Sequence, residues 1–214
     1  MAESVQHPLP YSAQAADIIR SAVLQGRYEL GQRLNEVELS TSLGISRSPI
    51  REALRKLAEE GLVNLVSGRG AFVASFARQE VSELLELRQA LDVLAVRLAA
   101  ERGTPEDHDR LQVAADDMTS EHQGTDGKPP APDFHLMIYG AARNGKLREH
   151  GRSVHTQLRL ARFRSGASSD RVGEAHNEHL AILAALRAHD ADTAAACMGE
   201  HLAHATTRIM AMFD

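Results

Sequence analysis

The 214-residue chain contains one cysteine, Cys197, no tryptophan, three tyrosines and five phenylalanines. A single thiol excludes an intramolecular disulfide framework and any site built from several thiolates; Cys197 itself reads as a small packing residue. No apolar run approaches the roughly 20 residues of a membrane-spanning helix. The opening MAESVQHPLPYS has neither the basic start and apolar stretch of a secretory signal nor a lipid-anchor motif. The expectation is a cytoplasmic protein with no membrane partner. With 43% hydrophobic and 25% charged residues, the chain is rich enough to bury a core, and its length suits two modest domains or one large one.

A net charge of −5 at first opposes a nucleic-acid partner, because duplex binding depends on neutralising phosphates. The distribution reverses that impression. Residues 11–75 carry eight Lys or Arg against seven acids, whereas residues 76–214 carry sixteen against twenty-one. Within 46–56, Arg47, Arg51, Arg55 and Lys56 face only Glu52. Basic charge is concentrated on one short segment.

Apolar residues at Ala15, Ile18, Ile19, Ala22 and Val23 predict an amphipathic helix from Tyr11 to about Gln25. Asn35 and Glu38 have capping-box spacing and open a short helix to about Leu43. After Gly44, Ser46 or Ser48 caps a third helix that tolerates Pro49 in its first turn and runs to about Glu60. Two short helices about a Gly-containing turn form a helix-turn-helix candidate. The runs LVNLV and GAFVAS, separated by Ser67, Gly68 and Arg69, predict a two-stranded hairpin, the wing. Beyond Phe76 the pattern is helical only, over about 80–102, 105–121, 133–143, 145–164, 171–188 and 191–212, broken by the loops QGTDGKPPAP and SGASSD.

The expected fold is therefore mainly α. It comprises a flexible stretch 1–10, a winged helix-turn-helix over 11–76, a linker at 77–79 and a bundle of about six helices over 80–214.

On a helical wheel, Ile50, Ala53, Leu54 and Leu57 fall on one side of the third helix, and Arg47, Ser48, Arg51 and Arg55 on the other. Guanidinium groups so displayed can bond bidentately to guanine in the major groove or bind phosphates. Arg47 and Arg51 sit at the helix end that enters the groove. A solvated basic face gives the same pattern, so charge alone leaves the choice open.

The stretch LGQRLNEVELSTSLGISRSPIREALRKLAEEGLVNLVSGRGAFVAS resembles the winged helix-turn-helix of the GntR family, through SRSPIREAL, EGLV and RGAFV. The resemblance covers about residues 12–75. It implies that Ser46, Arg47, Ser48 and Arg51 contact DNA, and that the wing, with Gly68, Arg69 and Gly70, touches the minor groove or the backbone; Arg55, on the same face of the third helix, is expected to join the DNA-binding set.

In the helix over 80–102, Val81, Leu84, Leu85, Leu91, Ala95 and Leu98 form an apolar stripe with Arg88 inside it. A guanidinium there requires a partner or water; a ligand carboxylate and an internal acid both satisfy it. His135 shares a helix face with Ile138 and Ala142, His179 with Leu183 and Leu186, and His201 with Cys197 and Ala205. Three inward imidazoles on three helices are either separate core histidines or one divalent-metal site.

The pieces LRQALDVLAVRLAA, FHLMIYGAARNGKL, EHLAILAALRAHD and MGEHL resemble the FadR-type effector domain of the same family, called FCD. The resemblance implies a homodimeric regulator, commonly a repressor, with a metal held by one Asp and three His. The Asp position, four residues before the His of the FH pair, is here Ala131 between two prolines. The expected ligands are His135, His179 and His201, with Asp133 as a substitute from a shifted helix start. Zinc is the expected ion, and a small-molecule carboxylate that pairs with Arg88 is the expected effector. Two rival readings are a helical metal-dependent hydrolase or lyase built on the three histidines, with His176 as its acid or base, and a winged-helix module that binds protein.

Overall fold

The structure, a computed structural model, describes residues 10–117, 133–163 and 172–213. Residues 1–9 of the expected flexible stretch, the loop QGTDGKPPAP with Ala131, the end of the helix expected over 105–121, and SGASSD lie outside the described residues.

Two compact units divide the chain between Ala77 and Arg78, and the C-terminal end of the helix that contains Arg159 groups with the first. The first contains α1 (Tyr11–Leu24), β1 (Arg33–Leu34), α2 (Glu36–Leu43), α3 (Arg47–Glu59), β2 (Val63–Val66) and β3 (Gly70–Val73). Its core is built from Ala15, Ala16, Ile19 and Val23 of α1, Leu39 of α2, the expected Ile50, Ala53, Leu54 and Leu57 of α3, and Leu62, Val63, Ala71 and Val73 beside them. Ile18, expected in the α1 stripe, is instead exposed. Asn35 caps α2 by accepting from the Val37 amide at 2.9 Å, and its side-chain amide donates to Glu38 at 3.0 Å. Gly44 ends α2 in the left-handed region at φ +66°, where a Cβ is disfavoured.

The sheet is antiparallel with order β1-β3-β2, Val63 opposite Val73 and Val66 opposite Gly70. The sequence predicts only the two wing strands. The third, β1, has two residues, too few to display an alternation, and is defined by its pairing of Arg33 with Phe72 and Leu34 with Ala71.

The second unit contains α4 (Arg78–Arg102), α5 (Pro105–Asp117), α6 (Phe134–Ala141), most of α7 (Gly145–Phe163), α8 (Val172–Arg187) and α9 (Ala191–Met210), then a 3-10 turn (Ala211–Phe213). Arg78 and Gln79, expected in a linker, form the first turn of α4. The α4 helix packs against α6, α8 and α9, and α5 against α6 and α8. Small residues make close approach possible: Ala95, Ala99 and Ala100 of α4 meet Leu111, Ile138, Ile182, Leu183, Met198 and Leu202 in one core. Cys197 packs against this core as a partly buried side chain.

Gly151 of α7 faces the ring of the buried Tyr139, so closely that a Cβ there would lie 2.2 Å from the ring carbon Cζ. Gly151→Ala should therefore destabilise by about 1–3 kcal/mol through overpacking, although alanine gains up to ~1 kcal/mol in helix propensity. Urea denaturation measures this; a midpoint equal to or above that of the parent protein would contradict the packing described.

Candidate functional site

The basic face of the first unit follows from the amphipathicity of α3. Ile50, Ala53, Leu54 and Leu57 are buried, which leaves Arg47, Ser48, Arg51 and Arg55 exposed on the opposite side. Ser46 is the N-cap residue by position, with extended backbone and no capping bond from its hydroxyl. At the wing tip Gly68 and Gly70 adopt φ of +69° and +101°, and Arg69 lies over the Phe72 ring at 5.7 Å. Arg33 of β1 lies beside Gly70, its Nε 3.5 Å from where a Gly70 Cβ would be, and adds a cation that the sequence motif did not single out.

Arg47 and Arg51 are not independent. Arg51 donates from Nε to Glu36 of α2 at 2.7 Å, and Arg47 from Nη2 to the same carboxylate oxygen at 3.3 Å. The Arg51 hydrogen bond holds the Glu36 carboxyl below its ordinary range.

In the second unit, α6, α8 and α9 each direct one imidazole to a common point. His135, His179 and His201 are buried, and each offers a ring nitrogen such that the three lie within 4.8 Å of one another. Nε2 of His135 and Nε2 of His201 are 3.2 Å apart. Two nitrogens bound tetrahedrally at zinc's usual 2.0–2.1 Å would be separated by about 3.3 Å. His179 stacks on Phe134 with ring centroids 4.0 Å apart, and both of its nitrogens are buried without a hydrogen-bond partner among the described residues.

Carboxylates orient two of these rings. His201 donates from Nδ1 to Glu178 at 2.6 Å, and His204 donates to the other oxygen of Glu178 at 2.7 Å. Nδ1 of His135 lies 3.0 Å from Oδ2 of Asp92, close enough to pair although off the line of a good hydrogen bond. A carboxylate can only accept, so Nδ1 of His201 bears the proton; for His135 the same tautomer follows from Arg88 Nη2, 3.0 Å from Nε2, because a guanidinium can only donate.

Asp92, 1% exposed, also accepts from Arg88 Nε at 3.2 Å, from His155 Nε2 at 2.9 Å and from the Tyr139 hydroxyl. Arg88 Nη2 donates to His135 Nε2 at 3.0 Å. The internal acid expected as one solution for Arg88 is thus present. Asp133 is not a fourth member of the cluster. It is the N-cap of α6, where its carboxylate accepts from the His135 and Leu136 amides at 3.0 and 3.3 Å. Its position fixes the helix start, and capping explains the residue.

Burial pushes the His179 imidazole down to about 2, and burial followed by the Arg88 charge pushes His135 down to about 4. Burial also lowers His201, against the raising effect of Glu178. Burial alone would raise the Asp92 carboxyl, but the bonds from His135 and His155 prevail and hold it well below the carboxylate range. At neutral pH the site therefore presents neutral imidazoles, the form that binds a metal ion.

Sequence reasoning missed Asp92, Tyr139, His155 and Glu178. Two signals were available: Asp92 lies four residues after Arg88 on one helix face, and Glu178 adjoins His179. Nothing in the spacing connects His155 to an acid 63 residues away.

Comparison with known proteins places both sites in a family. Residues 11–73 match the model of bacterial regulatory proteins of the gntR family, and residues 83–204 match the FCD domain. The Nta operon transcriptional regulator of Aminobacter aminovorans is 32% identical over 174 residues, covering 80% of this chain and 81% of the relative.

The chain belongs to the GntR family, with an FCD domain.

It is a DNA-binding transcriptional regulator of that type. LutR of Bacillus subtilis is 29% identical over 215 residues, covering 90% of this chain and 98% of LutR. Among solved structures, Escherichia coli McbR/YncC superposes with a TM-score of 0.79 at 20% identity, covering 97% of this chain and all of that one. A GntR-type regulator from Rhodococcus sp. RHA1 gives 0.73 at 22% identity, covering 94% and 97%. At these identities the likeness establishes the fold. No helix among the described residues of this GntR-family chain is long and apolar enough to cross a membrane.

The buried histidines make the stability of the metal-free protein depend on pH. Folding lowers His135 and His179 below the 6.5 of the free side chain, so below that pH the unfolded chain binds protons that the folded protein refuses. Stability should fall as the pH is lowered from about 6.5 towards 4, with uptake of about two protons on unfolding near pH 5. Denaturant melts of chelator-treated protein across this window test the expectation, and a flat stability would contradict it.

Proposed function

We propose that the protein is a metabolite-responsive repressor of the FadR type. As a homodimer it binds a near-palindromic operator through α3 and the wing, and a small-molecule carboxylate held in the C-terminal unit sets its operator affinity. One observation carries the ligand half of this reading: three neutral, buried imidazoles converge, and one of them, His179, has no hydrogen-bond partner among the described residues for either nitrogen. Unpaired polar atoms in a dry interior are costly, and a ligand relieves that cost. The donor set suits a borderline divalent ion, with zinc the best match.

In that role His135, His179 and His201 would hold the ion, which would supply a Lewis-acidic anchor for an effector carboxylate. Glu178 keeps Nδ1 of His201 protonated, and Arg88 with Asp92 does the same for His135, so that their Nε2 lone pairs face the ion. Arg88 stands beside His135 and offers a charge-assisted partner to the same carboxylate. With Ala131 at the position usual for an Asp ligand, the sequence supplies no carboxylate there, and a bound ion would be open to an effector oxygen. A ligand that binds one arrangement of the dimer better than the other shifts the population between them.

The repressor assignment is supported by the HTH-type transcriptional repressor GlaR of E. coli, 25% identical over 197 residues. For the dimer, Leu87 and Leu94, one heptad apart on α4, are 48% and 46% exposed, as a helix seam between two copies requires. His176, the acid or base of the hydrolase reading, donates from Nδ1 to the Ala115 carbonyl at 2.9 Å; that reading is less favoured because the relatives of the chain are transcriptional regulators.

Two outcomes are expected. Arg47→Ala and Arg51→Ala should each weaken specific operator binding by about 1–3 kcal/mol for every bidentate pairing with a base that the substitution removes. Anisotropy titrations at physiological salt measure this, and undiminished affinity and selectivity in both variants would refute the assignment of α3. Calorimetry of metal-stripped protein with zinc should show binding that a His135→Ala, His179→Ala double variant loses. Unchanged zinc affinity in that variant would remove the metal site and leave the DNA reading intact.

A further inference from the structure

We infer that Glu36 determines operator specificity by clamping the two recognition arginines into one orientation. The inference rests on the reading of α3 as the DNA-contacting helix. Glu36 is the first residue of α2, directly after the Asn35 cap, so its backbone is fixed by the bond from the Val37 amide to Asn35. Its side chain is 29% exposed, against 55% for Arg47 and 53% for Arg51. The acid is thus the better anchored partner, and the arginines are the mobile ones brought to it.

Arg51 is held at Nε, which leaves its two terminal nitrogens free as an outward fork for guanine O6 and N7. Arg47 reaches the same oxygen with Nη2, which fixes its distance from Arg51. A long, flexible guanidinium arm that must be ordered on binding loses affinity to entropy, and one already ordered does not.

The second consequence is electrostatic. Within 46–56 the excess charge is +3, and Glu36 places one negative charge directly against it. Phosphate attraction, the part of affinity that carries no sequence information, is reduced. A carboxylate at the mouth of the groove also repels any acceptor edge or phosphate that approaches out of register. Glu36 therefore trades non-specific affinity for discrimination.

The test uses full-length protein and a duplex selected by the wild type from a randomised pool, alongside a random-sequence duplex of equal length. Anisotropy titrations over a range of salt compare wild type, Glu36→Gln, Glu36→Ala, Arg51→Ala and the Glu36→Gln, Arg51→Ala double variant. Glu36→Gln and Glu36→Ala should bind the random duplex more tightly, with a salt slope steeper by up to about 1. Their ratio of selected to random affinity should fall about tenfold, the scale of one specific base pairing. In the Arg51→Ala background the Glu36 substitution should change that ratio far less, because the clamped group is gone. An unchanged ratio in Glu36→Gln, or an equal fall with and without Arg51, overturns the inference. If Arg51→Ala abolishes discrimination while Glu36→Gln does not, the clamp alone fails. If the wild type enriches no sequence, the DNA reading falls and the clamp with it.

Discussion

The C-terminal unit depends on one buried carboxylate. Asp92 stands at 1% exposure in the middle of α4 and receives Arg88 from its own helix, His135 from α6 and His155 from α7, together with the Tyr139 hydroxyl. A lone ion at that depth would be prohibitive, and breaking a buried pair by removing one partner typically costs about 3–5 kcal/mol. Asp92 is stable because three helices supply its partners. Those helices are in turn fixed relative to one another, and the ring of His135 with them. Removing Tyr139 from this arrangement would leave a hydrogen bond unmade and a void; adding a methyl group at Gly151 would expel the ring.

The same device appears twice more in the chain. Glu178 holds His201 and His204 as Asp92 holds His135 and His155, and Glu36 gathers Arg47 and Arg51. In each case an acid fixes the direction of a basic group, and a carboxylate can do this because it offers several acceptor positions and no donor. The surroundings decide the outcome. In the dry core, where burial dominates, the rings of His135 and His201 are held neutral with Nε2 unprotonated, whereas at the surface the gain is the orientation of the arginines.

Much of the fold was legible because it is periodic. The apolar face of α3, the capped start of α2 and the hairpin wing each carry a local signal: a repeat, an Asn-to-Glu spacing, a pair of strands about Gly68. The inward aim of His135, His179 and His201 was legible for the same reason, since each lies on the apolar side of its own helix. Their convergence was not. It depends on how α6, α8 and α9 pack, which no single helix records. Asp92 was hidden by its context, because an acid inside an apolar stripe reads as a break in the pattern until its partners are placed, and His155 reaches it from 63 residues away. Asp133 has a local role that the ligand expectation did not include. Its position before FHLMIYGA marks a helix N-cap, and its carboxylate is used there. β1 escaped because two residues cannot show an alternation.

The central claim is that Glu178 holds the proton of His201 on Nδ1 and that Arg88, with Asp92, holds that of His135 on Nδ1, so that both rings turn an unprotonated Nε2, with His179, to a common point. Long-range proton–nitrogen correlation of the imidazoles in metal-free protein at pH 7 reads the tautomers directly. The account predicts neutral rings protonated at Nδ1 for His135 and His201, and joint shifts of one ring nitrogen in each of the three histidines on adding zinc. Protonation at Nε2 in either of the first two rings, or zinc shifts confined to other histidines, would contradict it.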